Sequence, residues 1–240
     1  LYEKAETRGG VDGVAAVDRA FSILAALSEQ AEPLPLAELS RRTGLYKSTI
    51  LRLLASIEAA GYAARLSDGR YSLGPMALRL GLAYEDQTPL RLHVMPILQD
   101  LVAQGTESAS FHIRHGADTR ICLFRVNSNH STLDRVKAGD ILPLGRGAAG
   151  RVIAAFSDGA DEDQENLART GYALSRGERD PSCSGLAAPV FGLNSSLVGA
   201  LSLSGPGERF TDEAVIRMRE LLLEASRLLS TSLGSNRLRG

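Results

Sequence analysis

Two groups of residues have types and spacing suited to chemistry with a partner. In the first, Lys47, Ser48, Thr49 and Arg52 share one side of a helical run whose other side carries Ile50, Leu53, Leu54 and Ile57. Hydroxyls at a helix start can bond phosphate or base edges, and the two cations add charge attraction. Arg65 and Arg70 flank the turn Ser67-Asp68-Gly69, where they would touch a nucleic-acid backbone or minor groove. Arg41 and Arg42 close the preceding helical run. Between Arg41 and Ser72 these six cations meet only Glu58 and Asp68, a local balance of +4 in a chain of net charge -1. Any solvated helix can carry such cations; the order helix, turn, helix, basic hairpin is what favours nucleic acid.

The second group is built from small residues. Gly147-Ala148-Ala149-Gly150 lets backbone N–H groups approach a guest closely, and the helix it opens turns its positive end outward, which suits a carboxylate. The competing reading is a packing device that lets a helix lie on a sheet. Ser202 and Ser204 alternate with Leu201 and Leu203, so both hydroxyls share one strand face and could form an opposite wall, or could simply be solvated. Arg125, Arg135 and Arg146 could neutralise an acid and Phe124 could stack on a ring, although such arginines are more often surface contacts. His112 and His115 are three apart on a predicted strand, hence on opposite faces, and no metal is expected. There is no G-x-S-x-G elbow and no H-E-x-x-H, and Cys183 stands in no motif, so no catalytic residue and no cofactor is expected.

These residues need elements to hold them. Val14, Val17, Phe21, Leu24 and Leu27 recur at helical spacing, Leu36 to Thr43 is a second helix stopped by Gly44, and a third begins near Tyr46 and ends at Gly61. Tyr62 to Leu66 and Arg70 to Gly74 form a hairpin, which after two helices joined by a tight turn is a wing. Gly74-Pro75 opens a connector helix running toward Pro89, followed by a helix over Leu90 to Gln104. Strands are then expected at Ser110 to Arg114, Thr119 to Val126, Leu133 to Ala138, Tyr172 to Ser175, Leu186 to Phe191 and Leu197 to Ser204. Helices fall at Ala148 to Phe156, Asp161 to Thr170, and from the cap Thr211 to Leu233. The expected fold is α+β: an N-terminal winged helix-turn-helix over 14–75, a connector helix over 76–89, and an α/β sandwich with a mixed sheet over 90–240.

Composition sets the bounds. The chain has 240 residues, 44% hydrophobic and 23% charged, which suits one large or two compact globular domains and argues against disorder or a coiled rod. Two cysteines, Cys122 and Cys183, cannot build a disulfide framework, so a reducing cytoplasm fits. The uncharged stretch from Pro181 to Gly207 is broken by Pro189, Asn194, Ser195, Ser196 and Gly199 and reads as two buried strands, not a membrane span. The first ten residues are charged and lack the apolar core of a signal peptide.

Leu39-Ser40-Arg41-Arg42-Thr43-Gly44-Leu45-Tyr46-Lys47-Ser48-Thr49-Ile50-Leu51-Arg52-Leu53-Leu54 resembles the winged helix of IclR-family transcriptional regulators. The resemblance continues through Pro143 to Arg151, Ala187 to Phe191 and Ala200 to Pro206, and spans about Val14 to Gly234. It implies a GAF-like effector-binding domain, a homodimer or homotetramer, a palindromic double-stranded DNA operator, and control of a catabolic operon, with repression the commoner role and activation the other. It further implies a small organic or aromatic carboxylic acid as effector, with Gly147, Ala148, Ala149, Ser175, Cys183, Gly185, Ser202 and Ser204 around it. Relatives that bind such acids often carry an aspartate near Ser175 and a cysteine near Gly185, which this sequence lacks, so the effector's identity and charge stay open. The alternative is a GAF-like small-molecule sensor whose helix-turn-helix contacts protein rather than DNA.

Overall fold

The computed structural model describes residues 13–87, 89–157 and 162–235. The first ten residues, Asp161 and the last five residues of the expected second domain lie outside them. The chain divides into two compact units, 1–87 and 88–240, each with its own core. The helix expected as a connector falls within the first unit.

In the first unit α1 (Ala15–Ser28), α2 (Leu36–Thr43) and α3 (Lys47–Ala59) pack around Ile23, Leu39, Ile50 and Leu54, and the hairpin β1 (Ala63–Arg65) and β2 (Tyr71–Leu73) adds the buried Tyr71. The α2–α3 turn is set locally. Gly44, at φ 69°, donates its N–H to the Ser40 carbonyl, and the Ser40 hydroxyl donates to the Leu45 carbonyl at 2.7 Å. The fourth helix is α4 (Pro75–Gln87). The apolar stripe expected on the first helix is only partly buried: Leu27 is inside and Leu24 half-buried, with Ile23 the buried residue the stripe left out, whereas Val14, Val17 and Phe21 are 67%, 46% and 63% exposed.

The second unit runs α5 (Leu90–Ala103), β3 (Ser108–His115), β4 (Thr119–Val126), β5 (Ile141–Pro143), α6 (Ala148–Ser157), α7 (Glu162–Thr170), β6 (Ala173–Arg176), β7 (Cys183–Phe191), β8 (Leu197–Pro206) and α8 (Asp212–Ser232). Its sheet has the order β5-β4-β3-β8-β7-β6. Every pairing is antiparallel, which corrects the mixed sheet expected above; β3–β4, β6–β7 and β7–β8 are joined by short turns that can only reverse the chain. A second correction concerns residues 133–138, which form no strand. The alternation there comes from Asp134 and Val136 turning inward from a loop, and the edge strand is β5 instead.

One face of the sheet packs Phe111, Leu186, Val190, Leu201 and Leu203 against α5 and α8, with Leu98, Leu222 and Leu229 between them. The other face meets α6 through Val152, Ile153, Ala187 and Ala200. Small side chains on that second face leave space under α6.

Candidate functional site

On the first unit, α3 begins at Lys47 without a side-chain cap, so the positive end of its dipole faces outward. Lys47, Ser48 and Arg52 are exposed and Thr49 is half-buried. Neither Lys47 nor Arg52 has an acidic partner among the described residues. Arg41 and Arg42 are engaged: Arg41 donates to Glu38 at 2.5 and 2.8 Å, and Arg42 to Glu38 at 2.7 Å and Glu29 at 3.3 Å. These bonds hold the Glu38 carboxyl at about 2, far below the usual carboxylate range. On the hairpin, Arg70 donates to Asp68 at 2.7 Å, while Arg65 lies 5.8 Å from the Tyr71 ring centre. The unpaired positive groups of this surface are therefore Lys47, Arg52 and Arg65, with Tyr46, 83% exposed, beside them. The sequence showed the cations and missed the pairing, because Glu38 and Glu29 lie upstream of the basic run.

On the second unit, Gly147, Ala148, Ala149, Ser175, Cys183, Gly185, Ser202 and Ser204 all line one cavity of about 40 Å3 between the sheet and the first turn of α6. Register explains the convergence. Ser175 pairs with Gly185, Gly185 with Ser204, and Ala187 with Ser202, so small residues fall in adjacent rows on one face.

His112, Arg120 and Arg179 also line the cavity. A bulge opposite Phe111 and His112 leaves Leu123 without a cross-strand partner, and this switches the facing of β4. Arg120 and Cys122 therefore share the cavity face with Arg125, although an unbroken strand would put residues five apart on opposite faces. The same bulge turns Phe124 into the α5/α8 core, where it cannot stack on a ligand in the cavity.

Arg125 is paired with Asp134 and both side chains are buried. Ser204 donates to Asp134 at 2.9 Å and Arg179 lies 3.4 Å from the same carboxylate. Gly147 N–H, at the helix start expected to hold a carboxylate, donates to Glu178 at 2.9 Å. The two seats read from the sequence are thus held by the chain's own acids, neither of which the sequence reading picked out. The glycines of the loop also serve packing: a Cβ on Gly150 would lie 2.2 Å from the Leu144 carbonyl oxygen and 2.5 Å from the Arg120 guanidinium.

His112, 3% exposed, has its Nε2 2.9 Å from the Ser110 hydroxyl, while Nδ1 has no partner. Burial, with Arg120, Arg125 and Arg179 nearby, pushes its pKa down to about 3, so the ring is neutral. Burial pushes the Cys122 thiol up to about 12, leaving it protonated. Arg135 and Arg146 do not line the cavity, although the Arg146 carbonyl accepts from Arg120 at 3.0 Å. Among the described residues no group of three or more His, Cys, Asp or Glu could hold a metal ion, and no helix is long and apolar enough to cross a membrane.

Comparison with known proteins agrees with both units. The profile of the IclR helix-turn-helix domain matches residues 16–67, and that of the bacterial transcriptional regulator IclR C-terminal domain matches residues 162–231. The HTH-type transcriptional regulator BhcR of Paracoccus denitrificans is 27% identical, over 91% of this chain and 87% of its own length. An IclR-family transcriptional regulator from Rhodococcus is 30% identical over 97% of this chain and 98% of its own, with TM-score 0.56. The IclR transcriptional regulator of Alicyclobacillus acidocaldarius is 25% identical, covers 92% of this chain and 100% of its own, and has TM-score 0.79. An IclR homologue of Microbacterium hydrocarbonoxydans, solved with 4-hydroxybenzoate, shares the fold at TM-score 0.73 and 19% identity, over 91% and 99% of the two chains.

Proposed function

The chain belongs to the IclR family of bacterial transcriptional regulators, and from that premise we propose that it binds a palindromic operator and releases or retains it according to a small carboxylic acid held in the second unit. Its expected sense is repression of a catabolic operon, acting in the cytoplasm as a regulator without catalysis of its own. The single observation that carries the DNA-binding half is the exposed, acid-free pair Lys47 and Arg52 on an uncapped α3. In this reading Ser48, Thr49 and Arg52 read base edges, and Lys47 and Arg65 hold phosphate. Arg41, Arg42 and Arg70 are assigned a smaller part, since each would have to leave a carboxylate first.

Exposed apolar residues support pairing with a second copy: Val14 at the start of α1, Val17 and Phe21 on it, and Leu78, Leu80 and Leu82 on α4. Two recognition helices of such a dimer would meet half-sites about 34 Å apart. In this reading an acid that enters the cavity displaces Asp134 from the Ser204 hydroxyl or Glu178 from the Gly147 N–H.

The test is operator binding by fluorescence anisotropy at several salt concentrations. Lys47→Ala should reduce the slope of log affinity against log salt by about 0.9 per half-site, and Arg41→Ala should change it far less. Equal effects of the two substitutions would refute the assignment, and salt-independent binding would refute DNA recognition by this surface.

A further inference from the structure

We propose that Arg120 is the seat of the effector's anionic group and that His112 Nδ1 supplies a second, uncharged contact. This rests on the reading of the cavity as the effector pocket. Arg120 is 3% exposed and lies on β4, facing the cavity. Its guanidinium donates to the backbone carbonyls of Pro143 and Arg146, and its Nε has no partner. No carboxylate pairs with it among the described residues. Its neighbours differ: Arg125 and Arg179 share Asp134, and Arg151 has Glu178.

A buried cation without a counter-ion is costly, and neutral carbonyls offset that cost only in part. The cost is greater here because the guanidinium lies against the first turn of α6, the positive end of a helix dipole: a Cβ on Gly147 would meet it at 3.5 Å and one on Gly150 at 2.5 Å. A diffusing carboxylate supplies the missing charge. His112 lines the same cavity, and its Nδ1 is a second polar atom without a hydrogen-bond partner among the described residues. Its neutral ring offers one donor or one lone pair, which suits the second carboxylate oxygen or an adjacent hydroxyl or keto oxygen. The ligand class that answers both is a small organic acid rather than a neutral sugar or an amine.

Calorimetric titration of the full-length protein tests this with pyruvate, benzoate and 4-hydroxybenzoate, each beside its primary amide. We expect an acid to bind the wild type and its amide not to bind. Affinity should fall roughly ten- to a hundredfold in Arg120→Gln and roughly two- to tenfold in His112→Leu. If Arg120→Gln does not fold, Arg120→Lys replaces it, keeping the charge but losing the fork, with a several-fold loss expected. An acid that binds these variants as tightly as the wild type, yet is lost in Ser204→Leu, overturns the seat and leaves the effector pocket standing. Amides that bind as well as acids also overturn it. No binding by any compound of the panel overturns the seat and the pocket reading together.

Discussion

His112 shows how a single residue can be visible in a sequence without its role being so. Its type and strand position were plain; the arginines that surround it come from β4 and the β6–β7 loop and have no local signature. Burial, and after it the field of those arginines, keeps the ring neutral, with a sign that can be checked. The folded pKa of about 3 lies below the ordinary 6.5, so the unfolded chain binds the extra proton between those values and stability is lost as pH falls through that window. Above pH 6.5 the full stability is present. Replacing His112 by Leu should flatten this acid loss, by about 2 kcal/mol between pH 6.5 and pH 5, in urea unfolding measured at both. Parallel losses in the two proteins would mean that His112 is not held neutral by its surroundings. At Arg41 and Arg42 the charge was legible and the pairing was not: Glu38, one helical turn back, engages both before any partner arrives.

Among the elements, those fixed by local chemistry were read well. The α2–α3 turn follows from Gly44 and Ser40, and the hairpin from Ser67-Asp68-Gly69, all within a few residues of what they shape. The elements that build the cavity depend on distant pairings. The β4 bulge at Leu123 leaves no mark in the sequence, yet it decides that Arg120 faces α6 and Phe124 faces α8. The loop over 127–140 imitated a strand because Arg125, on another element, draws Asp134 inward. The glycine loop at the start of α6 held both of its possible roles, since Ala148 and Ala149 line the cavity while Gly150 makes room for Leu144 and Arg120. Gly150→Ala should therefore destabilise the second unit by about 1–3 kcal/mol, lowering its melting temperature by several degrees. Gly145→Ala, where a Cβ meets nothing within 4 Å, is the control and should melt near the wild type. A Gly150→Ala protein that melts with the control would show that α6 can move off the sheet freely.

For the whole molecule, a net charge of -1 conceals a division of tasks: unpaired cations on the first unit, and on the second a cavity whose acids and arginines are mostly matched to each other. Pairing within the basic surface leaves Lys47, Arg52 and Arg65 as its free charge, so non-specific DNA affinity should be modest and base contacts with dimer formation should carry a larger share. In the proposed reading an effector that takes either acid-filled seat displaces an internal contact, and that displacement is what would couple its binding to operator affinity. Reciprocity follows: whatever factor the effector applies to operator affinity, the operator must apply to effector affinity. The most direct measurement is the affinity of the full-length protein for the promoter DNA beside its own gene, titrated with and without a carboxylic acid that it binds. A change of about fivefold or more in the presence of the acid, absent with the matched amide and lost in Arg120→Gln, is the predicted result. Operator affinity that stays the same when the acid saturates the protein would contradict effector control of DNA binding.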